Sequence, residues 1–364
     1  MSDPFVVSTV QHRVGFLTLD RPKALNSLSL DMVRAMTASL LAWRDEAQID
    51  AIVIHSTSEK AFCAGGDIRF FYDAGQSTPS HGSALLEDFF TEEYALNHLI
   101  HHFPKPVVAI MNGVVMGGGM GIAQSGPASR IRIVTERTKM AMPEVNIGLF
   151  PDVGGSYFLS RCAGQIGAYL GVTGEVIGAA DALHAGLADV FIPSGDIALL
   201  LEAIDRRGDA SVRDTIADFA APFAAQADPA QSKLAAQRTL IDRHFAHDSV
   251  AAIVASLTQD ETPVARDMLA MIAKRSPLMM CVTLEEIRRG AGMDIADCLR
   301  MERTMVRRAF EHGEVIEGVR AMVIDKDNQP RWNPASLAMV TPAMVTAFFN
   351  PAWPEHAHPL RMLA

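Results

Sequence analysis

The sequence predicts an α/β fold with a helical C-terminal region. Three observations predict it. Short apolar, strand-like runs alternate with helix-period segments up to about Pro193. Two glycine-rich loops each follow a buried-type apolar run and precede a helical stretch. Beyond Pro193 the pattern is almost wholly helical to about residue 320, Ala-rich, with charges of both signs and few glycines. The expected division is a core at residues 1–200 and a helical region at 201–364.

The elements follow in order. Val14 to Leu19 is a strand-forming run ended by Asp20-Arg21-Pro22. Ser29 is placed to cap a helix in which Met32, Val33, Met36, Leu40 and Leu41 recur at helical spacing, running to about Ala47. Ala51 to His55 is a second buried strand, leading into the loop Ala61 to Asp67. A helix is predicted over Ala84 to His101, stopped by Pro104 and Pro106, and Val107 to Ile110 is again a buried strand. Strands are expected at Arg130 to Val134 and Lys139 to Ala141, a helix over Phe158 to Leu170, and another from Gly178, turned at Gly186.

Composition narrows the function. Of 364 residues, 49% are apolar and 20% charged, which excludes a disordered chain. A net charge of −10 speaks against a nucleic-acid partner, which needs clustered Lys and Arg to neutralise phosphates, but not against a small anionic ligand. Cys63, Cys162, Cys281 and Cys298 have no metal-like spacing and read as reduced thiols. With neither a signal nor a transit pattern at Met1-Ser2-Asp3-Pro4, the expected location is cytoplasmic. The 24 residues from Pro106 to Ser129 carry no charge, yet six glycines suit a strand and loop better than a membrane helix.

The motifs leave two kinds of chemistry open. Gly65-Gly66-Asp67 and Gly117-Gly118-Gly119 are either tight turns or paired sources of backbone N–H groups for a developing oxyanion. Neither completes the dinucleotide or P-loop pattern. Glu144 and Asp152, each after a proline in an otherwise uncharged stretch, are either turn acids or carboxyls with raised pKa suited to general acid–base work. His98, His101 and His102 share a helix face but also close its last turn, where histidine serves the helix dipole, and no metal is expected. Ser156 lacks the nucleophile-elbow context, and Cys63 has no adjacent base. Asp325-Lys326-Asp327-Asn328 begins like a calcium loop, but Pro330 stands where glycine is needed.

Leu19-Asp20-Arg21-Pro22-Lys23-Ala24-Leu25-Asn26-Ser27-Leu28, then Ala61 to Ile68, then Lys105 through Gly121 together resemble the crotonase (enoyl-CoA hydratase/isomerase) superfamily. The resemblance implies a spiral of ββα units and an acyl-CoA ligand. It implies that the Gly66 and Gly118 amides form an oxyanion hole. It further implies that Lys23, Ala24 and Leu25, with Ala64, Gly65, Asp67 and Ile68, line coenzyme A. No cofactor is implied, since coenzyme A is part of the substrate, and a homo-oligomer is possible.

Hydratases of the superfamily carry a first catalytic Glu three residues after the middle oxyanion glycine, where this chain has Gly121; the second is matched by Glu144. The runs Phe89 to Tyr94, Ala141 to Glu144 and Ile147 to Leu159 instead resemble the branch that hydrolyses 3-hydroxyisobutyryl-CoA. So do Ser276-Pro277-Leu278, the segment around Gly318-Val319-Arg320, and Trp332-Asn333-Pro334. The implied roles are Glu144 as nucleophile or general base, Asp152 on the substrate hydroxyl or the water, and Glu93, or its neighbour Glu92, as a further acid near the acyl end. The alternatives are a hydratase or isomerase of short-chain acyl-CoA and a non-catalytic acyl-CoA-binding relative.

Overall fold

A computed structural model describes residues 5–78, 83–124, 126 and 130–364. Strand β1 (Val6–Gln11) pairs antiparallel with β2 (Val14–Leu19) across a turn in which His12 and Arg13 both take positive φ. The sequence did not announce β1, because only Val6 of its six residues is buried and no alternation marks it. Helix α1 (Leu30–Arg44) starts where Ser29 accepts the Met32 amide and buries Met32, Val33, Met36, Leu40 and Trp43, ending short of the expected Ala47. Then come β3 (Ala51–Ser56), β4 (Ala61–Cys63), α2 (Ile68–Ser77) and α3 (Ala84–His101).

The uncharged stretch becomes β5 (Val107–Met111), β6 (Val114–Met116) and α4 (Gly118–Ala123). Its end at Pro127 to Ser129, like Met1 to Pro4, lies outside the described residues. No helix among the described residues is long and apolar enough to cross a membrane. Strands β7 (Arg130–Val134) and β8 (Lys139–Ala141) follow. The single helix expected over Phe158 to Leu170 is instead two, α5 (Gly155–Leu159) and α6 (Ile166–Thr173). Gly164 breaks it by adopting φ +57, a conformation outside the right-handed helix. Helix α7 (Ala179–His184) and β9 (Val190–Phe191) complete the alternation. The rest is helical: α8 (Ile197–Asp205), α9 (Val212–Ala220), α10 (Lys233–His244), α11 (Val250–Thr258), α12 (Pro263–Ile272), α13 (Pro277–Gly290), α14 (Ile295–His312), α15 (Glu314–Val319) and α16 (Pro342–Phe348).

The chain divides into two compact units interleaved along the sequence. The first comprises Met1–Gly66, Leu96–Met140 and Val176–Ala236. It holds a six-stranded sheet ordered β1-β2-β3-β5-β7-β9, parallel from β2 onward, and a second sheet ordered β4-β6-β8. The successive pairs β3/β4, β5/β6 and β7/β8 each give one strand to either sheet, which is the spiral repeat. Val14, Phe16, Val53, Val108, Ile110, Ile131 and Ile133 of the large sheet pack with Leu200, Ile204, Val212 and Ile216 of α8 and α9. The second unit comprises Asp67–Ala95, Ala141–Glu175 and Gln237–Ala364. In it α13 packs on α5 and α6, and α14 packs on α5.

Candidate active site

In the first unit the two glycine loops are built against each other. Gly65 takes φ +103, and a Cβ placed on it would stand 3.5 Å from the Gly118 amide nitrogen and 3.7 Å from the Gly117 Cα. Gly119 allows a closer approach still, since its Cβ would lie 2.2 Å from the Cys63 carbonyl oxygen. Gly118 is the first residue of α4, so its amide has no acceptor within the helix and sits at the positive end of the helix dipole. Gly66 bridges Leu28, whose amide donates to the Gly65 carbonyl at 2.8 Å.

The turn that carries Lys23, Ala24 and Leu25 is fixed to the same loop. Ala64 donates to the Leu25 carbonyl at 3.0 Å, and Leu25 and Asn26 are both left-handed, with φ +52 and +55. Asn26, fully buried, anchors that turn. Its Nδ2 donates to Ser56 Oγ and to the Ala61 and Phe62 carbonyls, and its Oδ1 accepts the Arg21 amide at 2.7 Å. Lys23 and Leu25 are left on the surface, while Gly65 is buried and Ala64 partly so. The sequence run contained Asn26 without revealing this role.

In the second unit lie Glu93, Glu144 and Asp152, with exposures of 2%, 5% and 5%. Asp67 starts α2 by accepting the Phe70 amide, with Ile68 as the first helical residue. Glu144 opens a single 3-10 turn after Pro143, and its backbone carbonyl accepts the amides of Ile147 and Leu149. Its Oε2 and the Oε1 of Glu93 are buried without a hydrogen-bond partner among the described residues. The Tyr94 phenol donates to Asp152 Oδ2 at 2.6 Å. Glu93, rather than the partly exposed Glu92, faces this group of acids.

Burial drives the electrostatics. It pushes the Glu144 carboxyl well above the ordinary range, and the Asp152 and Glu93 charges add to the rise. Burial likewise raises Glu93, with Asp152 as the second cause. Asp152 rises to about 6, burial outweighing the Tyr94 hydrogen bond that holds it down. All three carboxyls are thus shifted upward by burial, the direction that suits general acid–base work near neutrality.

Two further acids belong to this environment, and sequence reasoning did not single them out. Glu302 on α14 accepts the Gly154 amide at 2.7 Å, the Ser156 amide at 3.0 Å and the Ser156 hydroxyl. Burial pushes its carboxyl up to about 8 against those donors. Glu286 on α13 is fully buried, neither oxygen has a hydrogen-bond partner among the described residues, and its carboxyl is raised by burial and by Glu302, Asp152 and Glu144. A signal existed: Glu302 falls in the apolar register of Ile295, Leu299, Val306 and Ala309, where a carboxylate has no place unless something holds it. Away from this group, Asp325 and Asp327 each pair with Arg320 at 2.7 Å.

The model of the enoyl-CoA hydratase/isomerase family matches residues 14–349. The chain belongs to the enoyl-CoA hydratase/isomerase family. Among its relatives, the mitochondrial 3-hydroxyisobutyryl-CoA hydrolase of Gallus gallus is 40% identical over 94% of this chain and 87% of that protein. The Homo sapiens protein of the same name is 36% identical over 90% and 83%. Solved structures of the fold include a carnitinyl-CoA dehydratase from Mycobacterium thermoresistibile, with TM-score 0.88 and 39% identity over 97% of this chain and 98% of that one. An enoyl-CoA hydratase from Rhodobacter sphaeroides superposes with TM-score 0.84 at 37% identity, over 96% and 98%. The spiral sheets and the helical C-terminal portion are thus features this chain shares with the family.

Proposed function

We propose that this family member hydrolyses a short acyl-CoA thioester, with 3-hydroxyisobutyryl-CoA as substrate and 3-hydroxyisobutyrate and coenzyme A as products. One observation carries the reading: Gly121, buried in α4, offers no carboxyl where a hydratase places its first glutamate, while Glu144 and Asp152 are both kept and buried. Syn addition of water to a double bond needs two positioned carboxyls on one water; thioester hydrolysis needs one base or nucleophile and an oxyanion site.

In this reading the Gly66 and Gly118 amides hold the thioester oxygen, and the exposed turn at Lys23, Ala24 and Leu25, with Ala64, Gly65, Asp67 and Ile68, lines coenzyme A. Glu144 either attacks the carbonyl, giving an anhydride that water then opens, or takes a proton from the attacking water. In both routes the C–S bond breaks and sulfur leaves as the coenzyme A thiolate, which takes its proton from Glu144 in the water route and from solvent in the anhydride route. Asp152 binds the substrate hydroxyl or orients the water, and Glu93 supplies a further acid at the acyl end. No resident cofactor is needed. The four cysteines, none in a disulfide, suit a reducing compartment such as the cytoplasm.

A second reading, hydration or dehydration of a short-chain acyl-CoA, is favoured by the names of the two solved structures above. Product analysis separates them. Thiol release from 3-hydroxyisobutyryl-CoA is the expected result; loss of the enoyl chromophore from crotonyl-CoA without thiol release would establish the second reading instead.

A further inference from the structure

Asp152 is followed by Val153 at φ +55 and Gly154 at φ +88, so the chain turns through two successive left-handed residues immediately after the acid. For Gly154 this conformation is unstrained, but Val153 is β-branched and its side chain crowds the backbone there. The valine is also buried, so solvent does not stabilise the turn. What holds it is a side chain 148 residues further on: Glu302 takes the Gly154 amide on one carboxylate oxygen and the Ser156 amide and hydroxyl on the other. The same helix grips α3 at the next position. Arg303, 1% exposed, pairs with Glu87 and donates to Thr91 Oγ1 at 3.0 Å, two and three residues before Glu93 and Tyr94. Adjacent residues of α14 thus hold both segments that carry the acids around Asp152.

We propose that Glu302 is a positioning residue for the reaction, holding Asp152 in register by bridging the two amides of the left-handed turn behind it. It touches no reacting atom. This rests on the hydrolase reading for its catalytic consequence, but its structural core does not.

The test uses the full chain and two readouts. The first is steady-state thiol release from 3-hydroxyisobutyryl-CoA. Glu302→Gln keeps the size of the side chain but turns an amide donor toward backbone N–H groups, and a misplaced acid of this kind costs about 10²-fold in kcat. KM for the thioester should stay near the wild-type value, because coenzyme A contacts are untouched. The second is hydrogen exchange of the Gly154 and Ser156 amides without ligand, which Glu302→Gln should accelerate. Ser156→Ala, which removes one of the three donors, should lower kcat by less and serves if the glutamine variant does not fold. Val153→Gly placed on Glu302→Gln should recover part of the lost kcat, because glycine takes the left-handed conformation without strain. A folded Glu302→Gln with normal kcat, a fall confined to KM, or a double variant no better than the single overturns the proposal. If wild-type protein releases no thiol, the hydrolase reading falls; exchange at Gly154 and Ser156 then decides, and unchanged rates in Glu302→Gln overturn the positioning role independently.

Discussion

The phenol of Tyr94 donates a 2.6 Å hydrogen bond to Oδ2 of Asp152, and both groups are buried. A hydrogen bond to the ionised form stabilises it, so Tyr94 opposes the burial that lifts Asp152 to about 6. Removing the phenol leaves only the raising influence. Tyr94→Phe should therefore raise the pH at which Asp152 ionises and move upward the limb of kcat/KM against pH that reports it. A pH–rate profile of both proteins checks this; an unmoved or lowered limb would separate Asp152 from the titrating group.

The proposed hydrolysis assigns Glu144 the role of nucleophile or general base. Glu144→Gln, shown folded by circular dichroism and its melting midpoint, should lose about 10²–10⁴-fold in kcat for thiol release, the usual worth of a positioned acid or base. Near-normal turnover would remove Glu144 from its assigned role.

Asn26 makes four hydrogen bonds from a fully buried amide, three from Nδ2 and one to Oδ1. Asn26→Ala removes the partner of the Arg21 amide and the Asn26 donor to the Phe62 carbonyl, while the Ala61 carbonyl keeps Ser56 Oγ, which should cost about 1–3 kcal/mol. A urea midpoint that does not move would show that water replaces the side chain. Because the same turn is bonded to Ala64, KM for the acyl-CoA should rise as well.

Burial and three neighbouring acids raise the Glu286 carboxyl well above the ordinary range. A raised folded-state pKa means the native state binds the proton more tightly than the unfolded chain. The stability this confers is fully present below the ordinary glutamate range and falls as pH climbs toward the raised value. Glu286→Gln removes that ionisation while keeping the shape. Denaturant midpoints across pH should therefore fall less steeply with rising pH in the variant than in the wild type; parallel curves would contradict a raised Glu286 carboxyl.

Much of the architecture was legible. The strands at Val14, Ala51, Val107, Arg130 and Lys139 and the helix from Ala84 to His101 follow from apolar runs, caps and prolines in the sequence, because local pattern and burial agree there. The break between α5 and α6 did not follow, because Gly164 reads as a tolerated helical glycine until its backbone conformation is known. Edge strand β1 was illegible for the opposite reason: five of its six side chains face water and carry no period. Among the candidate site residues, Gly66, Gly118, Glu144 and Asp152 stood out by sequence neighbourhood. Glu302 and Glu286 did not, since each lies in a charged helical segment and its burial is set by partners distant in sequence.

The reach from Gly154 to Glu302 also bears on how the protein is made. At about 5–20 residues per second, the ribosome needs on the order of ten seconds to add the 148 residues that separate them. Throughout that interval the nascent chain carries Asp152 on a turn whose anchor does not yet exist. The β-strands and glycine loops are complete before then, so the contact between the two glycine loops can form during synthesis, whereas the acidic turn is secured only when α14 emerges. A premature stop before residue 302 would leave strands β1 to β9 present but the turn behind Asp152 unheld.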